Sequence, residues 1–277
     1  MMKQDKIRNR IVFVIVLILA LIFVYPLFII VMNTVKPLSE IMSNPLALPQ
    51  EFAAVENYTD TIAQIDIPHV LKNTAILTAL SVAGITLLAT MTSYWTWRFP
   101  TKFSKVFETA VILSMLIPFA SIMLPVVKTM KFVGLSNSLL GTVIVYWGIG
   151  LAFAFFMMQS AVKALPVELE ESAYIDGCSR TRTFFAIVCP LLRPTMLSVI
   201  LMDMFWIWND FMVPLIMMNN QKLMTIQLAI SRLFGQYASK WNIALPALTL
   251  TMLPIVVVFI LLQKHIINGV VAGAVKG

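Results

Sequence analysis

Long apolar runs constrain the fold of this chain more than any other feature. An α-helix needs about 20 mostly apolar residues to cross about 30 Å of hydrocarbon, at a rise of about 1.5 Å per residue. Six runs have that length, and they cover residues 11–33, 70–93, 106–128, 139–162, 194–218 and 243–263. The sequence therefore predicts an all-α membrane protein with six transmembrane helices within residues 11–263, an N-terminal segment 1–10 and a C-terminal tail 264–277.

The composition supports a bilayer environment. Of the 277 residues, 60% are hydrophobic and 12% are charged, whereas about a quarter of the residues in a soluble domain are charged. The first apolar run is too long for a secretory signal and is not followed by a small-residue cleavage site, so we expect it to be retained as a helix.

The distribution of basic residues predicts the orientation of the spans. With six spans, both termini and the loops 94–105 and 163–193 lie on the same side of the membrane. The positive-inside rule assigns that side to the cytoplasm of a multi-pass cell-membrane protein. Basic residues beside anionic lipid also account for the net charge of +7 without a nucleic-acid partner. Thirteen of the 20 basic residues fall on this side: Lys3, Lys6, Arg8, Arg10, Arg98, Lys102, Lys105, Lys163, Arg180, Arg182, Arg193, Lys264 and Lys276.

The third run contains two prolines, Pro118 and Pro125. Each proline removes a backbone donor, and a membrane helix tolerates that loss only where neighbours or a cavity satisfy the freed carbonyl group. These two prolines predict a bent element that faces a pore.

The loop between the fourth and fifth runs contains a polar stretch, "EESAYIDGCSRTRTFFAIVCPLLRP", from Glu170 to Pro194. Pro166 suits the first position of a helix, and acidic residues follow it in the turns where the helix dipole favours negative charge. Gly177 ends this helix because glycine readily adopts a left-handed conformation. The sequence thus predicts a short acidic helix that stops at a glycine turn.

A second short helix follows that turn. Ser179 suits its N-cap, the segment "RTRTFFAIV" forms its body with Phe184, Ile187 and Leu191 on one face, and Pro190 and Pro194 end it. Two interpretations remain open for this unit. It packs under the bundle as a loop, or it protrudes rigidly and fits a groove on a soluble partner. A DNA-binding helix-turn-helix fits poorly, because both helices are short and the first is acidic.

This stretch resembles the cytoplasmic loop of ABC importer permeases, in which E-A-A is followed by three residues, a glycine, nine residues, and I-x-L-P. Ser172 replaces an alanine of that pattern and Cys189 replaces its leucine, and both substitutions are small or apolar. The stretches "ELEESAYIDG", "WNDFMVPL", "GVVAGAVKG", "NTVKPLSEI", "ENYTDT" and "LKNTAI" resemble the carbohydrate-uptake class of these permeases, of the maltose and oligosaccharide type. The positions that match or align with the loop pattern are Glu171, Ser172, Ala173, Gly177, Ile187, Cys189 and Pro190.

The resemblance implies a type I ABC importer permease fold whose loop 163–193 holds a coupling helix. In that family the helix docks in a cleft of a cytoplasmic ATPase subunit and passes ATP-driven closure to the spans. It implies contacts from Glu171, Ala173 and Gly177, with Asp176 supporting the turn, and a tail from residue 265 onward that reaches toward the ATPase pair. The ATPase-coupling residues expected from this likeness are Glu171, Ser172, Ala173, Asp176, Gly177, Ile187 and Pro190.

The expected partners follow from the same resemblance. They are a second permease subunit encoded as a different chain, two copies of the ATPase subunit, and an extracytoplasmic sugar-binding protein. This sequence contains no G-x-x-x-x-G-K-[ST] motif. We therefore expect ATP and Mg²⁺ to be bound by the ATPase subunit, and this chain to be a transport subunit with no enzymatic activity and no cofactor of its own.

Asp203 and Asp210 are the only acidic residues well inside a predicted span. A charge near the centre of a membrane helix costs about 2.5–3.5 kcal/mol, so both residues should face a cavity or a partner. Their spacing of seven places them on one helical face with Trp206, with Asn209 to one side. This combination of acceptors and an aromatic ring suits a sugar in a translocation pathway. Alternatively, Asp203 pairs within the bundle and Asp210 organises a helix break before Pro214.

Two other classes of function compete with the importer. A secondary transporter or channel would use Asp203 and Asp210 as an ion relay, although no internal repeat is visible in the sequence. An intramembrane enzyme has no support, because the sequence has no metal-ligand cluster and His69 and His265 belong to opposite predicted faces. Within the importer class, a polyol or glycerol phosphate would leave the same sequence signature as a sugar.

Overall fold

The computed structural model of the protein describes residues 2–234 and 240–274, with side-chain positions within 8–234 and 240–261. In this part of the chain, five helical spans are long and apolar enough to cross a membrane, and a bent pair raises the number to as many as six. The predicted all-α membrane fold is confirmed. The long helices are α1 (Met2–Asn33), α4 (Ile67–Arg98), α7 (Leu139–Lys163), α10 (Cys189–Asn209) and α13 (Trp241–Ala274).

Shorter elements connect these helices. They are α2 (Leu38–Ser43), α3 (Ala54–Ile65), α5 (Lys102–Ser114), α6 (Phe119–Phe132), α8 (Glu168–Ile175), α9 (Arg180–Thr183), a π-helical turn (Phe184–Val188), α11 (Met212–Met217), a 3₁₀ turn (Gln221–Leu223) and α12 (Ile226–Ser231).

The third predicted span, 106–128, is wrong as a single helix. The chain forms α5 and α6 there, and the two axes meet at 115°. Pro118 has φ −60° and ψ 132° at the start of α6, and a proline both lacks a donor and disfavours helical dihedrals in the residue before it. The predicted bend is therefore confirmed at Pro118, while Pro125 lies inside α6 without ending it.

The described residues group into two compact units, of which the first comprises residues up to 69 together with 229–253. Its centre is polar. The ammonium group of the fully buried Lys36 donates to the carbonyl of Ala47 at 2.6 Å, and the Asn57 amide donates to the carbonyl of Lys36 at 2.8 Å. The Thr61 hydroxyl donates to the carbonyl of Ile243 at 3.1 Å, which attaches the beginning of α13 to α3.

Among the described residues, the second unit comprises 70–228 and 254–274, and α4 lies close to α7 within it. Gly84 faces the indole ring of Trp147, and a Cβ atom added to Gly150 would lie 2.5 Å from the Cδ1 atom of Ile85. The Trp147 indole N–H donates to the carbonyl of Leu80 at 3.2 Å. Small residues at a membrane-helix interface allow this close approach.

At one end of the second unit, the segment that follows α11 forms hydrogen bonds with residues near the beginnings of α4 and α7. The Asn73 amide donates to the carbonyl of Met224 at 3.0 Å, and the backbone N–H of Ile226 donates to the Thr74 hydroxyl at 3.0 Å. The backbone N–H of Asn220 donates to the Asn137 side chain at 3.0 Å. These bonds place the beginnings of α4 and α7 at the same end of this unit, so α8 and α9 lie at the opposite end.

The predicted helix, glycine turn and helix are confirmed between α7 and α10, with two corrections. Pro166 precedes α8 by two residues and is not its first residue. Pro190 and Pro194 do not end the second helix, because the π-helical turn leads directly into α10. Pro190 then falls in the first turn of α10, where a missing donor costs least.

The π-helical turn also changes which side chains point inward. The predicted apolar face of Phe184, Ile187 and Leu191 is only partly correct, since Leu191 is 47% exposed. The buried positions are Phe184, Val188 and Leu192, because the wider turn adds a residue to the helical register.

Residues 264–274 continue the last helix. The predicted tail 264–277 is the continuation of α13 as far as Ala274, and the final three residues of the predicted tail lie outside the described residues.

Candidate functional site

The turn at Gly177 has a fully hydrogen-bonded geometry. Gly177 has φ +80°, a value in the left-handed region that glycine adopts without steric cost. The backbone N–H of Gly177 donates to the carbonyl of Tyr174 at 3.1 Å, and that of Cys178 donates to the carbonyl of Ala173 at 2.9 Å. This pair of bonds is a Schellman motif, which satisfies the last carbonyl groups of α8.

The chain beyond the turn is held in a similar way. Ser179 has extended dihedrals, and its hydroxyl accepts from the backbone N–H of Arg182 at 3.3 Å. The Thr183 hydroxyl donates to the carbonyl of Ser179 at 3.1 Å. The predicted N-cap at Ser179 is therefore confirmed, and both sides of Gly177 have a defined conformation.

The predicted ATPase-coupling residues differ in how much of each is exposed to solvent. Ala173 is buried within the chain, and Ile187 is half-buried. Ile175 at the end of α8 is 87% exposed, so it adds an apolar side chain to the surface beside the turn. The exposed predicted residues are Glu171, Ser172, Asp176, Gly177 and Pro190.

Glu170 is a residue of this region whose environment the sequence interpretation missed, since it counted Glu170 only among the dipole-stabilising acids of the first turns. The structure buries Glu170 at 4% exposure. One carboxylate oxygen accepts from the Tyr94 hydroxyl at 2.5 Å, and the other accepts from Arg98 Nε at 2.6 Å. The available signal was its spacing of three residues from Ala173, which places both on the inward face of α8.

A cavity of about 840 Å³ lies within the second unit, bounded by the α5–α6 break, α6, α7 and α10. Its wall is mainly apolar, and Gly148 of α7 leaves open space at its Cβ position. The side chains that carry a hydroxyl, a carboxylate or a large ring there are Ser114, Thr129, Asp203, Trp206, Phe119 and Phe153.

Asp203 lies on the wall of this cavity and is 3% exposed. Its Oδ2 atom is buried and has no hydrogen-bond partner among the described residues. A buried carboxyl oxygen without a partner is costly. The position therefore agrees with the expectation that Asp203 faces a cavity.

Asp210 has a different environment. Its Oδ2 atom accepts from the Tyr146 hydroxyl at 2.8 Å. Its two oxygens also accept from the backbone N–H groups of Met212 and Val213, each at 3.1 Å. Asp210 thus ends α10 and caps α11, as the helix-break interpretation of the sequence proposed.

The four predicted pathway residues are consequently not brought together on one wall. Asp203 and Trp206 line the cavity, whereas Asn209 and Asp210 do not. Asn209 is exposed and its amide donates to the carbonyl of Phe205 at 2.8 Å. Tyr146 connects the two groups, since its ring meets that of Trp206 edge to face at 5.7 Å. The sequence offered no signal for Tyr146 within its apolar run.

Replacing Asp210 with alanine should destabilise the protein by about 2 kcal/mol, because it removes a helix cap and leaves the buried Tyr146 hydroxyl without an acceptor. The change is measured by thermal unfolding of the purified protein in detergent. Asn209→Ala is the neighbouring control, and its effect should stay within about 0.5 kcal/mol since Asn209 is exposed. Equal effects from the two variants would contradict the capping role of Asp210.

Within the described residues, no group of three or more His, Cys, Asp or Glu side chains could hold a metal ion. The candidate functional features of this part of the chain are therefore the exposed glycine turn and the cavity.

Comparison with known proteins relates the chain to transport systems. A family model described as "Binding-protein-dependent transport system inner membrane component" matches residues 85–271. The chain is 36% identical to the probable starch degradation products transport system permease protein AmyC of Thermoanaerobacterium thermosulfurigenes, over 94% of each protein. It is 29% identical to the multiple sugar-binding transport system permease protein MsmG of Streptococcus mutans, over 100% of both proteins.

A solved structure has the same fold. It is the crystal structure of a bacterial ABC transporter involved in the import of the acidic polysaccharide alginate, which matches with a TM-score of 0.80 and 17% identity. The match covers 94% of this chain and 97% of the other. It confirms the predicted ABC importer permease fold.

Proposed function

This chain belongs to the inner membrane components of binding-protein-dependent transport systems, and from that premise we propose that it forms half of an ATP-driven pathway for importing a neutral sugar or oligosaccharide. It is a transport subunit and not an enzyme. The observation that carries the coupling proposal is the exposed, hydrogen-bonded Gly177 turn between two spans. Both termini and this turn lie in the cytoplasm in the proposed orientation.

The turn is the proposed contact with a cytoplasmic ATPase subunit. Glu171, Ser172 and Asp176 offer exposed polar groups, and the exposed Ile175 offers an apolar one. Ala173 packs into the chain, so it contributes no exposed surface to this contact. ATP and Mg²⁺ belong to the ATPase subunit. Two copies of that subunit and a second permease chain complete the proposed assembly.

The proposed solute class rests on the relatives and on the cavity. The two relatives are named for starch degradation products and for multiple sugars. Another solved neighbour, with a TM-score of 0.64, is an alginate ABC transporter in complex with an alginate pentasaccharide-bound periplasmic protein, which supports an extracytoplasmic binding protein as a partner here. Asp203 and Trp206 offer a hydroxyl acceptor and a ring face on the cavity wall.

The charge of the cavity wall favours a neutral solute over glycerol phosphate. The side chains on the wall include Asp203 and no Lys or Arg among the described residues. A phosphate in these apolar surroundings would have no positively charged side chain of the described wall to pair with, and burying an unpaired charge is costly.

An ion relay through Asp203 and Asp210 has little support. Asp203 lines the cavity, while Asp210 is occupied with Tyr146 and with the first turn of α11. The two carboxyl groups therefore do not share one continuous polar path in the described structure.

The transport proposal is tested with sealed membrane vesicles that contain this chain and its partner subunits. Radiolabelled maltotriose and raffinose serve as probes, with glycerol 3-phosphate as the comparison solute. We expect ATP-dependent, binding-protein-dependent uptake of at least one of the two sugars that persists when a proton uncoupler is added. Uptake that needs no ATP and collapses with the uncoupler would contradict the proposal.

The coupling contact is tested through Cys178, which lies half-buried immediately after Gly177. A maleimide-linked benzophenone on Cys178 should form a crosslink to the ATPase subunit on illumination, and its yield should change when ATP is added. The matched control uses Cys189, the other cysteine of the chain, after Cys178→Ser. Cys189 belongs to α10 and should give little crosslink to the ATPase. Equal yields from the two positions would show that the turn is not the docking point.

A further inference from the structure

The end of α4 is joined to the helices of the turn by a buried cluster, which we name the α4 clasp and which consists of Tyr94, Arg98 and Glu170. Glu170 accepts from both other residues, at 2.5 Å and 2.6 Å. Arg98 Nη2 also donates to the carbonyl of Leu165 at 3.0 Å, just before α8. Both Tyr94 and Glu170 are buried, so two hydrogen bonds connect α4 with α8 away from solvent, and a third connects α4 with the segment just before α8.

These bonds are a large part of what holds α8. Glu170 and Ala173 are its two buried residues, and the alanine side chain is too small to define a helix orientation alone. The other acids, Glu168 and Glu171, are exposed. The buried carboxylate of Glu170 therefore joins α8 to α4.

Aromatic contacts extend the clasp to the other side of the glycine turn. The ring of Tyr94 lies 5.0 Å from that of Phe184 and 6.2 Å from that of Phe99. The guanidinium group of Arg180 lies over the ring of Phe99 at 4.9 Å, a distance at which a cation is attracted to a ring. The end of α4 thus contacts the segments on both sides of Gly177.

A buried ion pair is a weak source of stability, because desolvation of both charges offsets most of their attraction. Breaking such a pair by moving one partner is unfavourable, since it leaves the other charge buried and unpaired. Separating α8 from the end of α4 would therefore leave the Glu170 carboxylate without its buried partners.

We propose that the α4 clasp transmits movement of the docked α8 to the transmembrane helix α4, with Glu170, Arg98 and Tyr94 acting as positioning residues. The backbone connects the turn only to α7 and α10, whereas the clasp adds a third membrane helix to the moving set. This inference rests on the proposed function, because it assumes that an ATPase subunit moves the turn.

The test compares Glu170→Gln with Glu168→Gln in the complete transporter in vesicles, with the sugar of the preceding uptake assay as the probe. Both variants remove one acid from the same helix, but Glu168 is exposed and lies outside the clasp. The measured quantity is sugar molecules imported per ATP hydrolysed. We expect this ratio to fall about fivefold or more in Glu170→Gln, which is the low end of coupling between distant sites, and to stay unchanged in Glu168→Gln.

A second variant is used if the transporter with Glu170→Gln does not assemble. Tyr94→Phe keeps the ring contacts and the Arg98–Glu170 pair and removes a single hydroxyl, and it should lower the ratio by a smaller amount. A merely structural role would reduce the amount of assembled transporter without changing the ratio. An unchanged ratio in the assembled clasp variants overturns the proposal, whereas absence of ATP-driven uptake in the unaltered transporter contradicts the proposed function instead.

Discussion

Sugar uptake should fall about tenfold or more when Gly177 is replaced with valine, which corresponds to a loss of about 1.4 kcal/mol or more in productive docking. Two effects contribute. A side chain at φ +80° strains the left-handed turn by about 1–2 kcal/mol. The added Cβ atom meets nothing within 4 Å in this chain, so any further obstruction arises only against a docked partner.

A matched control separates these two effects. Gly134, which follows α6, has φ +73° and also meets nothing within 4 Å at its Cβ position. It ends α6 with the same pair of bonds, from Gly134 N to the carbonyl of Lys131 and from Leu135 N to that of Met130. Gly134→Val should therefore cause the same strain without the docking defect. The two variants are compared by thermal unfolding in detergent and by maltotriose or raffinose uptake.

The comparison can also contradict a docking role for Gly177. If both variants lose uptake in proportion to their loss of stability, Gly177 is a structural glycine like Gly134. A selective loss of uptake in Gly177→Val, at equal stability, indicates close approach of a partner to the turn.

Replacing Asp203 with leucine should raise the free energy of unfolding by about 1–3 kcal/mol while lowering sugar uptake about tenfold or more. The stability gain is expected because the variant removes a buried carboxyl group whose Oδ2 atom has no partner. The cavity of about 840 Å³ beside it leaves room for the larger side chain. The loss of uptake is expected because the variant removes the carboxyl group that we propose as a hydrogen-bond partner for a sugar hydroxyl on the cavity wall.

The expected changes in the free energy of unfolding have opposite signs at Asp203 and Asp210, so the two variants can be distinguished directly. Asp210→Ala should destabilise the protein because Asp210 is fully bonded, whereas Asp203→Leu should stabilise it. Both are measured by thermal unfolding in the same detergent. If Asp203→Leu destabilises the protein, Asp203 pairs within the assembled bundle. If it stabilises the protein and leaves uptake intact, Asp203 lies outside the solute pathway.

Features that depend on short stretches of chain were predictable from the sequence. The membrane spans follow from apolar length, because lipid leaves the backbone of a spanning segment to satisfy its own hydrogen bonds. The turn at Gly177, the cap at Ser179 and the bend at Pro118 follow from the dihedral preferences and donors of single residues. The resemblance to importer permeases likewise rests on residue types at fixed spacing.

The features that the sequence interpretation missed depend on residues that are far apart in the chain. Glu170 and Tyr94 are 76 positions apart, and Asp210 and Tyr146 are 64 positions apart. Each acidic residue had a plausible local explanation in its own helix. The structure instead shows one carboxylate bonded to α4 and the other to α7.

Asp203 and Asp210 show most directly where prediction from the sequence ends and tertiary packing decides. Their spacing of seven predicted that both side chains leave one helix on nearly the same face, whereas α10 ends at Asn209 and Asp210 lies just beyond it. Helical spacing does not determine what that face meets along its length. The bend at Pro118 opens a cavity beside Asp203, while the end of α10 brings Asp210 to Tyr146 and to the first turn of α11. The sequence by itself determined the spans and the glycine turn, and only tertiary packing decided which buried carboxylate is bonded and which lacks a partner.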